Sequence, residues 1–170
     1  GVGKTTLLKI FNNQLLGMQH GFDLVVFLEV TRDPGVDRIH RALGSRLGLQ
    51  WQGDETQEER AAHILRVLSK LNFVMLLDDV WEPLDLASLG IPILRYPTRQ
   101  HLRKVVVATR IADVCINMDS DMTLEVECLP MEEAWDLFVQ KVGIESIISH
   151  PRTLLYAQEV VKICGGLPFA

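Results

Sequence analysis

Cysteine is scarce in these 170 residues: Cys115, Cys128 and Cys164 are odd in number and form no C-x-x-C pair. That excludes a disulfide framework and points to reduced, mostly buried thiols in a reducing compartment rather than to metal ligands. The five histidines, His20, His40, His63, His101 and His150, are scattered without ligand spacing and read as surface or hydrogen-bonded histidines. No apolar run approaches the length of a membrane span, and there is no initiator Met, signal peptide or transit sequence. Basic residues are outnumbered 17 to 22, for a net charge of −5, which argues against a nucleic-acid-binding surface. The one basic cluster, Arg95, Arg99, Arg103 and Lys104, reads as a solvated loop. What remains is ordinary for a soluble globular chain: 48% hydrophobic and 23% charged, long enough for one domain or for one domain and part of a second.

The first six residues, Gly1-Val2-Gly3-Lys4-Thr5-Thr6, match the later part of G-x-x-x-x-G-K-[ST], the phosphate-binding loop. Such a loop points successive backbone N–H groups into one concavity, and glycines such as Gly1 and Gly3 let the backbone approach the phosphates. Lys4 would reach the β- and γ-phosphates, Thr5 would offer its hydroxyl to Mg²⁺, and a helix starting here would turn its positive end toward the anion. A Gly-rich turn before a basic helix start is the plainer alternative. The strand from which such a loop hangs is expected to lie outside this sequence, so the 170 residues alone are expected to fold poorly and to bind ATP weakly.

Downstream, apolar runs alternate with helical patterns. Residues 5–16 read as helix, 23–30 as a strand covered on both faces, 31–35 as a turn, and 36–47 as a helix carrying Ile39, Leu43 and Leu47 on one face. Thr56 and Glu59 fit a capping box before a helix with Ala61, Ile64, Leu65 and Leu68 inward. Residues 73–77 and 105–109 read as further buried strands, separated by a stretch punctuated by Pro83, Pro92 and Pro97. This alternation predicts βαβ units and a mostly parallel α/β sheet with flanking helices. Residues 122–126 alternate apolar and polar and read as a short, half-exposed edge strand. Two helices follow, 131–142 with Ala134, Leu137, Phe138 and Val142 inward, and 153–164 with Ala157, Val160, Val161 and Cys164 inward, closed by Gly165-Gly166. A boundary is placed near Cys128, with a nucleotide-binding α/β part at 1–128 and the opening of a helical part at 129–170.

A phosphate loop needs a partner for its metal, and an acid ending a buried strand supplies one. Phe73-Val74-Met75-Leu76-Leu77-Asp78-Asp79 fits. Asp78 would hold Mg²⁺ beside Thr5, and Asp79 would polarise an attacking water or sit in the metal's outer shell. Arg110 follows the third strand at the sheet edge where open α/β folds bind ligands, and a guanidinium there is suited to sensing a γ-phosphate. A solvated arginine after a strand is the alternative.

GVGKTT, LLDDVW (76–81), KVVVATR (104–110), CLPMEEAWDLF (128–138) and CGGLPFA (164–170), in that order, resemble the nucleotide-binding domain of plant NLR (NB-ARC, nucleotide-binding leucine-rich-repeat) disease-resistance proteins over the whole chain. Trp81 looks like the coiled-coil, non-TIR class of these receptors. The resemblance implies a P-loop NTPase fold of the STAND/AAA-like kind, with 129–170 as the start of the helical ARC subdomain. It implies an ADP/ATP-binding switch module with Mg²⁺, in the cytoplasm, with at most slow hydrolysis. Gly3, Lys4, Thr5 and Thr6 would contact phosphates, Asp78 would hold Mg²⁺, Asp79 would be the neighbouring catalytic acid and Arg110 the sensor. Gly166, Leu167 and Pro168 match the motif written GLPLA, whose proline packs near the adenine. Expected partners are the nucleotide and the other domains of the parent receptor: coiled-coil, winged-helix and leucine-rich repeats. Two departures stand out: Ala108 where these proteins often have Thr, and Phe169 in place of Leu. A P-loop ATPase with steady turnover and a degenerate, non-binding interaction module are the rival readings.

Overall fold

Residues 73–77 are apolar without a break, and each is at most 1% exposed in the computed structural model, which describes residues 1–32, 35–51, 53–92 and 102–169. A continuous apolar run of that length is buried on both faces only as the central strand of a covered sheet. The sheet has three parallel strands in the order β1 (Leu24–Glu29), β2 (Phe73–Val80), β3 (Arg103–Thr109). Because strand side chains alternate, Phe73, Met75 and Leu77 turn to one face and Val74 and Leu76 to the other. The first set packs with Val26 and Leu28 of β1 against Ile39 and Leu43 of α2 (Gly35–Arg46) and Ile64 and Leu68 of α3 (Gln57–Leu68). The second packs with Leu8 of α1 (Lys4–Gly17) and Ala108 of β3, flanked by Val25 and Phe27. Ala108 thus lies in a wholly apolar cluster. Val106 is 37% exposed, as befits β3 at the edge of the sheet.

Local signals set the helix ends. The Thr56 hydroxyl accepts from the Glu59 N–H (3.2 Å) and the Glu59 carboxylate from the Thr56 N–H (2.9 Å), completing the capping box that starts α3. Arg103, expected in a solvated loop, instead opens β3 and donates to the Ser69 carbonyl (2.6 Å), satisfying a backbone acceptor at the end of α3.

The chain divides into two units, Leu8–Thr123 and Gly1–Leu7 with Leu124–Ala170. The first holds the sheet, α2, α3 and a short α4 (Ala112–Asn117). The second holds α5 (Met131–Val142), α6 (Ile144–Ile148) and α7 (Pro151–Cys164), with Ile147, Ala157 and Val161 buried among them. Helix α7 stops at Gly165 and Gly166, both with positive φ (58° and 76°). The Gly166 carbonyl accepts from the Leu129 N–H at 2.8 Å, and a Cβ on Gly166 would collide with the Leu129 carbonyl.

Some expectations are corrected. Residues 122–126 form no strand; Met122 and Leu124 are 85% and 84% exposed in an extended connector. A strand exists only with a ladder partner, and none among the described residues pairs with this segment. Leu65, Val142 and Val160, expected inward, are exposed, and α5, which carries Val142, has no fully buried residue. The cysteines are free, but Cys128 is exposed and Cys115 and Cys164 only half-buried. Asp33 and Pro34 of the expected turn, Pro97, Arg95 and Arg99 of the basic cluster, His101 and Ala170 lie outside the described residues.

Candidate functional site

A parallel sheet brings the C-terminal ends of all its strands to one edge, so the residues that leave those strands are assembled by topology alone. Here they are Arg32 after β1, Asp78, Asp79 and Trp81 at the end of β2, and Arg110 after β3. Asp78 is 2% exposed, opposite Glu29 in the ladder, and its backbone carbonyl accepts from the Val30 N–H at 2.7 Å. Beyond it the ladder slips. From Leu77 to Val80 the chain advances three residues on β2, while the partners Val107 and Thr109 are two apart on β3. The extra residue makes a bulge, and Asp79 within it takes a left-handed backbone (φ 54°). Among non-glycine residues, Asp and Asn tolerate that conformation best, and it re-aims the side chain.

Re-aimed, the Asp79 carboxylate accepts an indole hydrogen bond on one oxygen and faces a guanidinium with the other. The Trp81 indole N–H donates to Oδ2 at 3.0 Å, and Arg110 Nε lies 3.4 Å from Oδ1. The Arg110 guanidinium carbon also sits 5.5 Å from the Trp81 ring centre, and that of Arg32 sits 4.8 Å from the same ring. The ion pair is largely solvated and worth at most about 1 kcal/mol, so its importance is geometric: it fixes where the guanidinium points. Thr109 helps, since its hydroxyl accepts from the Ile111 N–H (3.0 Å) and tightens the turn containing Arg110. Sequence reasoning placed Asp78, Asp79 and Arg110 together and missed Arg32 altogether. Trp81 carried no spacing signal, because the bulge at Asp79 interrupts the regular alternation of the strand.

The other sequence-predicted residues belong to the second unit. Gly3 has φ 96°, and its carbonyl accepts from the Leu7 N–H (2.9 Å), which makes it the residue that launches α1. Lys4, Thr5 and Thr6 follow in the first turn, whose N–H groups have no i−4 carbonyl inside the helix. No acidic residue stands in that turn, so nothing there opposes the positive helix end or the Lys4 ammonium. In the same unit Gly1 closely approaches the chain at Phe169: a Cβ on Gly1 would lie 3.3 Å from the Phe169 Cβ. Pro168 lines an apolar pocket of about 150 Å³ with Leu137, Phe138, Lys141, Val161 and Cys164.

Residues 1–147 match the family model of the NB-ARC domain. The chain is 43% identical over its full length to the disease resistance protein SUMM2 and 40% identical to the disease resistance protein RPS5, both of Arabidopsis thaliana. It spans about a fifth of the length of these relatives, 19% of each. A loop of the G-K-T-T type launching a helix, a buried acid ending the central strand of a parallel sheet and a family match over most of the chain agree: the chain belongs to the NB-ARC family of nucleotide-binding P-loop domains.

Proposed function

We propose that this chain is the ADP/ATP-binding switch module of a plant immune receptor acting in the cytoplasm, in which exchange or slow hydrolysis moves the protein between two signalling states. The observation that carries this reading is the GVGKTT segment launching α1 with Gly3 in the left-handed region and Lys4 and Thr5 in the first helical turn. Gly1, Gly3, Lys4, Thr5 and Thr6 hold the phosphates; Arg110 senses the γ-phosphate; Pro168 lies by the base. Free cysteines fit a reducing compartment. No described helix is long and apolar enough to cross a membrane. The relatives' names support the immune role, and the proposed partners are the coiled-coil, winged-helix and leucine-rich-repeat regions of a longer receptor.

The donor chemistry fits Mg²⁺. A threonine hydroxyl and a buried carboxylate, Thr5 and Asp78, are hard oxygen ligands of the kind this ion takes beside waters and phosphate oxygens. Among the described residues no group of three or more His, Cys, Asp or Glu is placed to hold a metal ion. When bound, the ion would neutralise charge between the β- and γ-phosphates. Asp79 is assigned the outer-shell role, since one of its oxygens already accepts the Trp81 indole hydrogen bond and the other is paired with the Arg110 charge.

The test is nucleotide retention and turnover by the complete protein that carries this domain. Adenine nucleotide should co-purify, be identified by chromatography after heat release, and be lost in Lys4→Ala. Rapid multiple turnover would sink the switch in favour of a steady ATPase. Absence of any retained nucleotide would favour a pure interaction module.

A further inference from the structure

Trp81 lies at the centre of a cluster drawn from the ends of all three strands, and family membership gives it no chemical task. Its indole N–H is a single donor, and it is spent on Asp79 Oδ2 (3.0 Å). That leaves Oδ1 facing Arg110 Nε at 3.4 Å, while the indole ring lies 5.5 Å from the Arg110 guanidinium carbon, within the reach of a cation–π contact. Arg110 is a long, mostly solvated side chain that would otherwise spread over many rotamers. Two of its degrees of freedom are taken up here: the carboxylate fixes the Nε edge and the ring fixes the plane. Arg32 lies over the same ring, its guanidinium carbon 4.8 Å from the ring centre.

We infer that Trp81 is a positioning residue for Arg110: through Asp79 and through its ring it presents the guanidinium at the sheet edge in the orientation that reads a γ-phosphate. This rests on the nucleotide-switch reading above. It assigns Asp79 the task of holding the sensor. The left-handed bulge is what lets a carboxylate and an indole two residues apart converge on one arginine.

The experiment measures the affinities of ADP and of a non-hydrolysable ATP analogue for the complete protein with Mg²⁺, and compares their ratio across variants. Arg110→Gln removes the sensing charge and should reduce the triphosphate-over-diphosphate ratio about tenfold or more, the value of a charge-assisted contact. Trp81→Leu should reproduce most of that loss while leaving ADP affinity within about twofold. Trp81→Phe keeps a ring and loses the donor, so an intermediate ratio is expected. The double variant Trp81→Leu with Arg110→Gln should be no worse than Arg110→Gln alone, because both act through one contact. Additive losses, an unchanged ratio in both Trp81 variants, or parallel loss of ADP and triphosphate binding would overturn the inference. Should Trp81→Leu fail to fold, Trp81→Phe decides. A wild-type protein that binds neither nucleotide would overturn the underlying reading, a result distinguishable from all of these.

Discussion

Arg60 Nη1 lies 2.7 Å from Asp37 Oδ1, joining α3 to α2 with the guanidinium side chain only 7% exposed and the carboxylate half open to solvent. The arginine also lies over the Trp51 ring (5.8 Å), and the Trp51 ring stacks on His63. Desolvating a guanidinium is costly, so its partner matters more than a surface carboxylate usually would. Breaking a fully buried pair costs about 3–5 kcal/mol. With Asp37 half-solvated, Asp37→Ala should destabilise the domain by about 1–2 kcal/mol. Arg41 also pairs with Asp37 at the surface (3.3 Å), so Arg41→Ala should matter far less, and pulse proteolysis in urea would rank it against Asp37→Ala.

His40 is fully buried in α2, its Nε2 3.2 Å from the Ser88 carbonyl. Burial lowers its pKa below the ordinary 6.5, with nearby Arg60 adding to the depression and the Ser88 carbonyl and Asp37 opposing it. Well above pH 6.5 the imidazole is neutral in both states and stability is flat with respect to it. As pH falls below 6.5 the unfolded chain takes the proton more readily, so stability drops toward the depressed folded pKa. The urea midpoint should therefore fall between pH 7.5 and 5.5, and His40→Leu should remove the part of that slope belonging to this residue.

Gly165 and Gly166 both adopt positive φ, yet they should respond differently to substitution. A Cβ on Gly165 would meet only the Ile163 carbonyl oxygen at an ordinary 4.0 Å, whereas Gly166 abuts the Leu129 carbonyl. Gly165→Ala should cost about 1–2 kcal/mol, the left-handed penalty alone. Gly166→Ala adds a backbone collision and should cost about 3 kcal/mol or more, or lose the Leu129 hydrogen bond. Limited proteolysis of residues 124–169 in the two variants would separate these outcomes.

Asp78→Asn keeps the shape of the strand end and removes the charge proposed to meet Mg²⁺. Nucleotide affinity in EDTA should match the wild type, while the gain on adding Mg²⁺ should shrink about tenfold. An Asp78→Asn protein with the full Mg²⁺ response would remove Asp78 from the metal's shell.

The parts of the fold legible in the sequence are those decided locally or by burial on every side. Residues 73–77 announced a central strand because both faces needed apolar cover, and Thr56 with Glu59 announced a helix start because a capping box is self-contained. Residues 122–126 misled for the opposite reason: alternation describes a strand's surface but does not supply its partner. Arg103 misled because the carbonyl it satisfies, at Ser69, lies 34 residues away in sequence. The candidate site was half legible. Asp78, Asp79 and Arg110 follow from strand ends, whereas the meeting of Asp79 with Trp81 and Arg110 depends on a one-residue slip that composition and spacing do not encode.

That slip also narrows what position 79 can become. Asparagine would keep the left-handed backbone and forfeit the anion; glutamate would keep the anion but fit the backbone poorly; glycine would relax the backbone and leave the indole and the guanidinium without the carboxylate they share. Of the twenty amino acids only aspartate meets both demands, so a deep mutational scan should find Asp79 far less permissive than its partly exposed surroundings would suggest.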